Sequence, residues 1–95
     1  MKRKFEVLFM EEAERFIENL PPKPREKLLY NLKKAQLMND ARLFKKIHAN
    51  IWEFRTISHK KQYRLFAFWD NESRAMVICT HGIIKKTCNY SAPSG

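Results

Sequence analysis

Glycine is almost missing from this sequence: Gly82 and Gly95 are the only two among 95 residues. A glycine-rich phosphate loop needs several glycines close together to bring backbone amides onto a phosphate, so that class of nucleotide site is excluded. Cysteine is equally scarce. Cys79 and Cys88 have no Cys-x-x-Cys spacing, and His48, His59 and His81 are scattered with no His-x-x-x-His. No metal site and no cofactor are expected, and no Ser-His-Asp arrangement has a local signature. No apolar run approaches the length of a membrane-crossing helix. Met1-Lys2-Arg3-Lys4 leads into no signal-peptide core, because Glu6 and then Glu11-Glu12 interrupt it. With two unpatterned cysteines, the chain reads as reduced and cytoplasmic. Cys79 lies in an apolar run and is expected to be a buried small hydrophobe.

Carboxylates are also in short supply. Ten Asp and Glu face nineteen Lys and Arg, a formal net charge of +9. Such an excess suits a polyanionic partner: nucleic acid, an anionic membrane surface or an acidic protein. What the chain does have is aromatic residues, with seven Phe, three Tyr and two Trp. They supply a core for a single domain, expected over residues 1–88, with 89–95 an aperiodic, frayed tail.

In chain order, Phe5, Val7 and Phe9 alternate with Lys4, Glu6 and Leu8, which predicts a half-buried strand over 3–9. Ala13, Phe16, Ile17 and Leu20 then fall at i, i+3, i+4 and i+7, an amphipathic helix with acidic residues in its first turn. Pro21-Pro22-Lys23-Pro24 ends it and starts a second helix at Pro24. Leu28, Leu32 and Ala35 form its stripe, widened by Leu29 and Gln36, and it stops near Met38. The two are expected to form an antiparallel hairpin. Over 41–50, Leu43, Phe44 and Ile47 have helix-like spacing, yet Lys45-Lys46 and His48-Ala49-Asn50 suggest a lysine-bearing loop leading into a strand. Strands follow over 51–57, 62–69 and 74–81, joined by the polar turns Ser58-His59-Lys60-Lys61 and Asp70-Asn71-Glu72-Ser73, with a bend at Gly82. The fold class is therefore α+β: an N-terminal strand and two-helix hairpin, then a three-stranded antiparallel meander with the helices on one face.

Strand parity puts Glu53 and Arg55 on one face of the first meander strand. Arg64 lies inside the apolar central strand, where a guanidinium needs a partner or an open cleft. Lys85 and Lys86 follow Gly82. Converging cations suit a phosphate whose charge grows in a transition state, and RNA cleavage needs little more than in-line placement of the 2′-hydroxyl, a base and neutralisation of the phosphorane. The bland alternatives are cross-strand ion pairing for Glu53 and Arg55, a buried salt bridge for Arg64, and a solvated loop end for Lys85-Lys86. Non-catalytic nucleic-acid binding fits the same residues. Tyr63 and Trp69 could stack on bases, though their spacing equally suits core.

Four blocks, Leu43-Phe44-Lys45-Lys46-Ile47, Ile51-Trp52-Glu53-Phe54-Arg55, Tyr63-Arg64-Leu65-Phe66-Ala67-Phe68 and His81-Gly82-Ile83-Ile84-Lys85-Lys86-Thr87, stand in this order. Together they resemble the RelE/HigB-type toxins of bacterial type II toxin–antitoxin pairs, in their phage-derived, HigB-like branch. The resemblance spans roughly residues 3–87. It implies a small RelE-like fold with a concave sheet. It also implies a metal-independent endoribonuclease that cuts mRNA on the ribosome, leaving a 2′,3′-cyclic phosphate and a 5′-hydroxyl. The partners implied are a helix-turn-helix antitoxin and, through that complex, operator DNA. On the matching positions, Arg64 and Lys86 would stabilise the transition state and Arg55 would orient the phosphate. Glu53, Lys85 and His59 are the candidates for the base. Lys45, Lys46, Lys60 and Lys61, with His59 beside them, would be RNA and ribosome contacts. Two departures stand out. His48-Ala49-Asn50 replaces a glycine-bearing turn, and Cys88-Asn89-Tyr90-Ser91 replaces the Lys-Thr-Pro-like segment and C-terminal helix. The same fold serves ParE-like gyrase inhibitors, so a gyrase-directed toxin and a non-catalytic binding module are the rival readings.

Overall fold

A computed structural model describes residues 3–72 and 75–86. Thr87, Cys88, the expected tail 89–95 and the domain boundary at 88 lie outside the described residues. The elements run β1 (Glu6–Phe9), α1 (Glu11–Glu18), α2 (Pro22–Leu37), β2 (Phe44–His48), β3 (Ile51–Ser58), β4 (Lys61–Trp69) and β5 (Met76–Lys86). They form one five-stranded sheet in the order β1-β5-β4-β3-β2.

The antiparallel meander is present as β3-β4-β5, and β4 is central, as its two apolar faces require. The sheet extends beyond it on both sides. β1 joins β5 in parallel, and β2 joins β3 antiparallel. Residues 44–48, read as loop, are therefore a strand. Their burial shows no alternation, since only Phe44 is even partly covered, so pairing with β3 rather than any local pattern makes the strand.

The helices cover one face. Each packs on the sheet, α1 against β5 and α2 against β3, rather than forming a hairpin packed chiefly on itself. α2 starts at Pro22, not Pro24, and buries Pro24, Leu28, Leu32, Ala35 and Gln36. Leu29 does not widen the stripe but is exposed. Gln36 is satisfied although buried: its Nε2 donates to the Phe5 carbonyl at 3.0 Å. Between helices and sheet lie Phe54, Tyr63, Leu65, Ala67, Val77 and Cys79. Phe44 stacks on Phe54 with ring centroids 4.2 Å apart, and Phe5 meets the edge of Trp69 at 5.3 Å. Tyr63 and Trp69 thus belong to the core side. Cys79 is fully buried, and burial pushes its thiol from 9.0 up to about 12, as expected for an inert hydrophobe.

β5 does not bend at Gly82 but runs through it to Lys86. The register with β4 shifts between Phe66, opposite His81, and Ala67, opposite Cys79, so Thr80 is an extra residue. Such a bulge reverses the parity of everything after it. Val77 and Cys79 face the helices, His81 turns to the other face, and Gly82 comes round to the helices. There the Phe16 ring occupies the space a Cβ would need.

Candidate functional site

The face of the sheet away from the helices is built by strand alternation. β3 sends Glu53, Arg55 and Ile57 to it, and β4 sends Gln62, Arg64 and Phe66. The register sets them in rows. Glu53 lies opposite Phe66, Arg55 opposite Arg64, and Ile57 opposite Gln62. β5 completes the rows with His81, Ile83 and Lys85. β2 adds Lys45 opposite Glu53.

Glu53 is 1% exposed, beneath its two arginines. Arg55 Nε donates to Glu53 Oε2 at 2.6 Å. Arg64 Nε lies 3.9 Å from Glu53 Oε1, within ion-pair range but too far for a hydrogen bond. The Arg64 terminal nitrogen donates to Gln62 Oε1 at 2.7 Å. Arg64 Nε–H is buried with no acceptor among the described residues. Two guanidiniums directly opposite each other would repel; the buried carboxylate below them offsets this and limits their freedom.

An open cleft of about 460 Å³ runs alongside, lined by Lys27, Asn31, Arg42, Arg55, Gln62 and Arg64, with Leu43, Ile57 and Tyr63 as apolar wall. Lys27 Nζ donates to the Ile57 carbonyl at 2.5 Å and Asn31 Nδ2 to Thr56 Oγ1 at 3.2 Å, which ties α2 to β3. Arg42 grips Asp40 through two bonds of 3.1 Å. That side-chain pairing, with the Arg42 backbone amide, holds the half-buried Asp40 carboxyl below its usual range. Four cations line the cleft against two partner carboxylates, Asp40 and Glu53. The surplus of positive charge matches a phosphodiester and its more highly charged phosphorane.

Of the residues singled out from sequence, Glu53, Arg55 and Arg64 come together. Lys85 lies on the same face, one row on, beside Gln62. Lys86 falls on the opposite parity, facing Lys61 at the strand ends. Lys45 borders the site, whereas Lys46 faces Trp52 on the other parity. His59 and Lys60 form the two-residue turn between β3 and β4, both in the left-handed region with φ of 50° and 63°. His59 lies in a separate depression with Lys23, beyond Lys27 and Ile57. Sequence reading missed Lys27, Asn31 and Arg42 as cleft residues. Lys27 and Asn31 carried a usable signal: they are spaced i, i+4 directly beside the Leu28–Leu32 stripe, so they border whatever that stripe packs on. Arg42 carried none. Among the described residues no helix is long and apolar enough to cross a membrane.

No curated protein sequence matches this chain. A chain in the crystal structure of the toxin–antitoxin complex RelBE2 from Mycobacterium tuberculosis shares its fold, with a TM-score of 0.67 at 19% identity, over 93% of this chain and 98% of that one. The RelE-like α+β fold expected from the sequence is thus the fold found. The profile of the family described as "Phage derived protein Gp49-like (DUF891)" matches residues 15–94, in agreement with the phage-derived branch read from the four blocks. With that share of its length matched, the chain belongs to the phage-derived Gp49-like protein family.

Proposed function

We propose that this protein is the toxin of a type II toxin–antitoxin pair and a ribosome-dependent, metal-independent mRNA endoribonuclease acting in the cytoplasm. The observation that carries the reading is the Arg55–Arg64 pair over a buried Glu53 at the wall of a cationic cleft. The fold shared with a chain of a toxin–antitoxin complex supports an antitoxin partner; following the resemblance, it would be a helix-turn-helix protein that brings the pair to operator DNA.

In this reading the scissile phosphate lies against Arg55 and Arg64. The 2′-hydroxyl loses its proton and its oxygen bonds to phosphorus. The bond from phosphorus to the 5′-oxygen breaks, and that oxygen takes up a proton. The products are a 2′,3′-cyclic phosphate and a 5′-hydroxyl. Arg64 stabilises the phosphorane, and Arg55, fixed by Glu53, orients it. Of the three base candidates, Glu53 lies beneath the arginines and His59 lies on a turn beyond Ile57. Placement therefore favours Lys85, with Lys86 as an electrostatic contributor at the strand end. Lys45, Lys46, Lys60 and Lys61 would hold ribosomal RNA.

The test is primer extension on an mRNA translated in a purified system, with the wild type and Arg64→Ala. Cuts within codons that need ribosomes and fall at least about a hundredfold in the variant are expected. Ribosome binding should largely survive. Absence of cuts, together with growth arrest on expression, would redirect the reading to gyrase. Absence of both would leave a non-catalytic RNA-binding module.

A further inference from the structure

The cationic cleft leaves the middle of the open sheet face unexplained. There the Phe66 and His81 rings lie 5.0 Å apart with an interplanar angle of 32°. They are side by side because of the Thr80 bulge; in unbroken register Phe66 would face Thr80, and His81 would turn toward the helices. The bulge also fixes the histidine. Thr80 Oγ1 contacts His81 Nδ1 at 2.9 Å and lies 3.4 Å from the Phe66 carbonyl, to which it can donate. His81 is exposed and Phe66 half-buried, on a face that neither helix packs against. A bulge that turns an exposed ring outward beside another does nothing for the core, which lies on the opposite face.

We propose that Phe66 and His81 form a stacking platform for a base of single-stranded RNA, next to the phosphate position at Arg55 and Arg64. The inference rests on the cleft being a phosphate site, and it adds a base-binding subsite to it. Charge selects the occupant. On this face Lys45 ends the row of the pair, Arg55 and Arg64 lie one row away and Lys85 two. Glu53, the carboxylate between them, is buried and already held by Arg55. Two aromatic rings beside a run of cations suit a base with its phosphate. Arg64 precedes Phe66 by two residues on β4, roughly 6–7 Å along the strand. One nucleotide spans that separation between base and phosphate. Because stacking is tolerant of base identity, the platform would position any codon while adding only modest sequence preference.

The experiment uses a short single-stranded RNA, fully 2′-O-methylated so that it cannot be cut, with 2-aminopurine at one position. Its fluorescence is titrated with wild type, Phe66→Leu, Phe66→Trp, His81→Ala and Arg64→Ala, each checked by thermal unfolding. Wild type and Phe66→Trp should quench the probe. Phe66→Leu and His81→Ala should bind about tenfold more weakly with reduced quenching at saturation. Arg64→Ala should weaken binding but leave the quenching at saturation unchanged. Absence of quenching by wild type, or wild-type behaviour of His81→Ala together with Phe66→Leu, overturns the platform. Ribosome-dependent cuts alongside that result would leave the nuclease standing without it. Quenching with no cuts would do the reverse.

Discussion

Position 53 holds a carboxylate at 1% exposure in a protein with nine excess positive charges, on a strand face that otherwise looks outward. Burying a charge costs several kcal/mol unless it is paired, and here two guanidiniums supply the pairing. The pairing is unequal. Arg55 makes a hydrogen bond of 2.6 Å while Arg64 remains at 3.9 Å, its second contact being Gln62. Arg55 is thus the more firmly positioned, and Arg64 keeps the greater freedom to turn to a phosphate. Glu53→Gln keeps the shape and removes the charge, placing an amide donor or a weaker acceptor against Arg55. A hydrogen bond to a charged group contributes roughly 1.5–3 kcal/mol. Arg55 is about one-third exposed and can be solvated when its partner weakens. The expected loss is therefore smaller, about 1–2 kcal/mol, seen as a lower urea midpoint with an unchanged slope. An unchanged midpoint would show that the carboxylate contributes nothing net to stability.

At the level of the elements, two glycine-related positions make opposite predictions. In the β2–β3 turn Ala49 has a φ of 40°, in the left-handed region that favours glycine. Ala49→Gly should stabilise the protein by about 1 kcal/mol, since the relief of backbone strain exceeds the entropy added to the unfolded chain. Gly82 has the reverse role: its lack of a Cβ makes room for Phe16. Gly82→Ala should destabilise by roughly 1–3 kcal/mol, because the ring must move within a packed interface. Chemical denaturation of the two variants side by side checks both signs. The same elements show what a sequence can reveal. The facing of β3 and β4, and with it the grouping of Glu53, Arg55 and Arg64, was legible, because one side of the sheet is buried and alternation records that side. The passage through Gly82 was not, because an inserted residue at Thr80 resets the alternation and makes a continuous strand look finished. β2 escaped notice for another reason: at the sheet edge most of its residues are exposed, and nothing apolar repeats. Arg42 joins Lys27 at one cleft only because α2 packs on β3 and the Arg55 amide donates to the Leu43 carbonyl, contacts distant in sequence that no local pattern encodes.

For the molecule as a whole, the positive charge is unevenly spread. α1 carries Glu11, Glu12, Glu14 and Glu18 against Arg15 alone, and it packs on β5. The cationic cleft is lined by α2, the segment before β2 and the β3–β4 pair. A polyanion approaching from solution is therefore turned toward the cleft and away from α1, a steering effect that salt weakens. This separates the contacts that salt can read from those it cannot. Each phosphate neutralised on a single strand contributes about 0.7 to the slope of log affinity against log salt. Lys45 is exposed and sits beside Glu53 at the edge of the aromatic row. Lys45→Ala should lower the slope for uncleavable RNA by about 0.7. Phe66→Leu should lower the affinity at every salt concentration and leave the slope alone, because stacking releases no counterions. Parallel titrations of the two variants over a range of potassium chloride make the comparison. An unchanged slope in Lys45→Ala would take Lys45 off the path of the RNA. A slope reduced by Phe66→Leu would mean that the ring acts by placing a phosphate, not by holding a base.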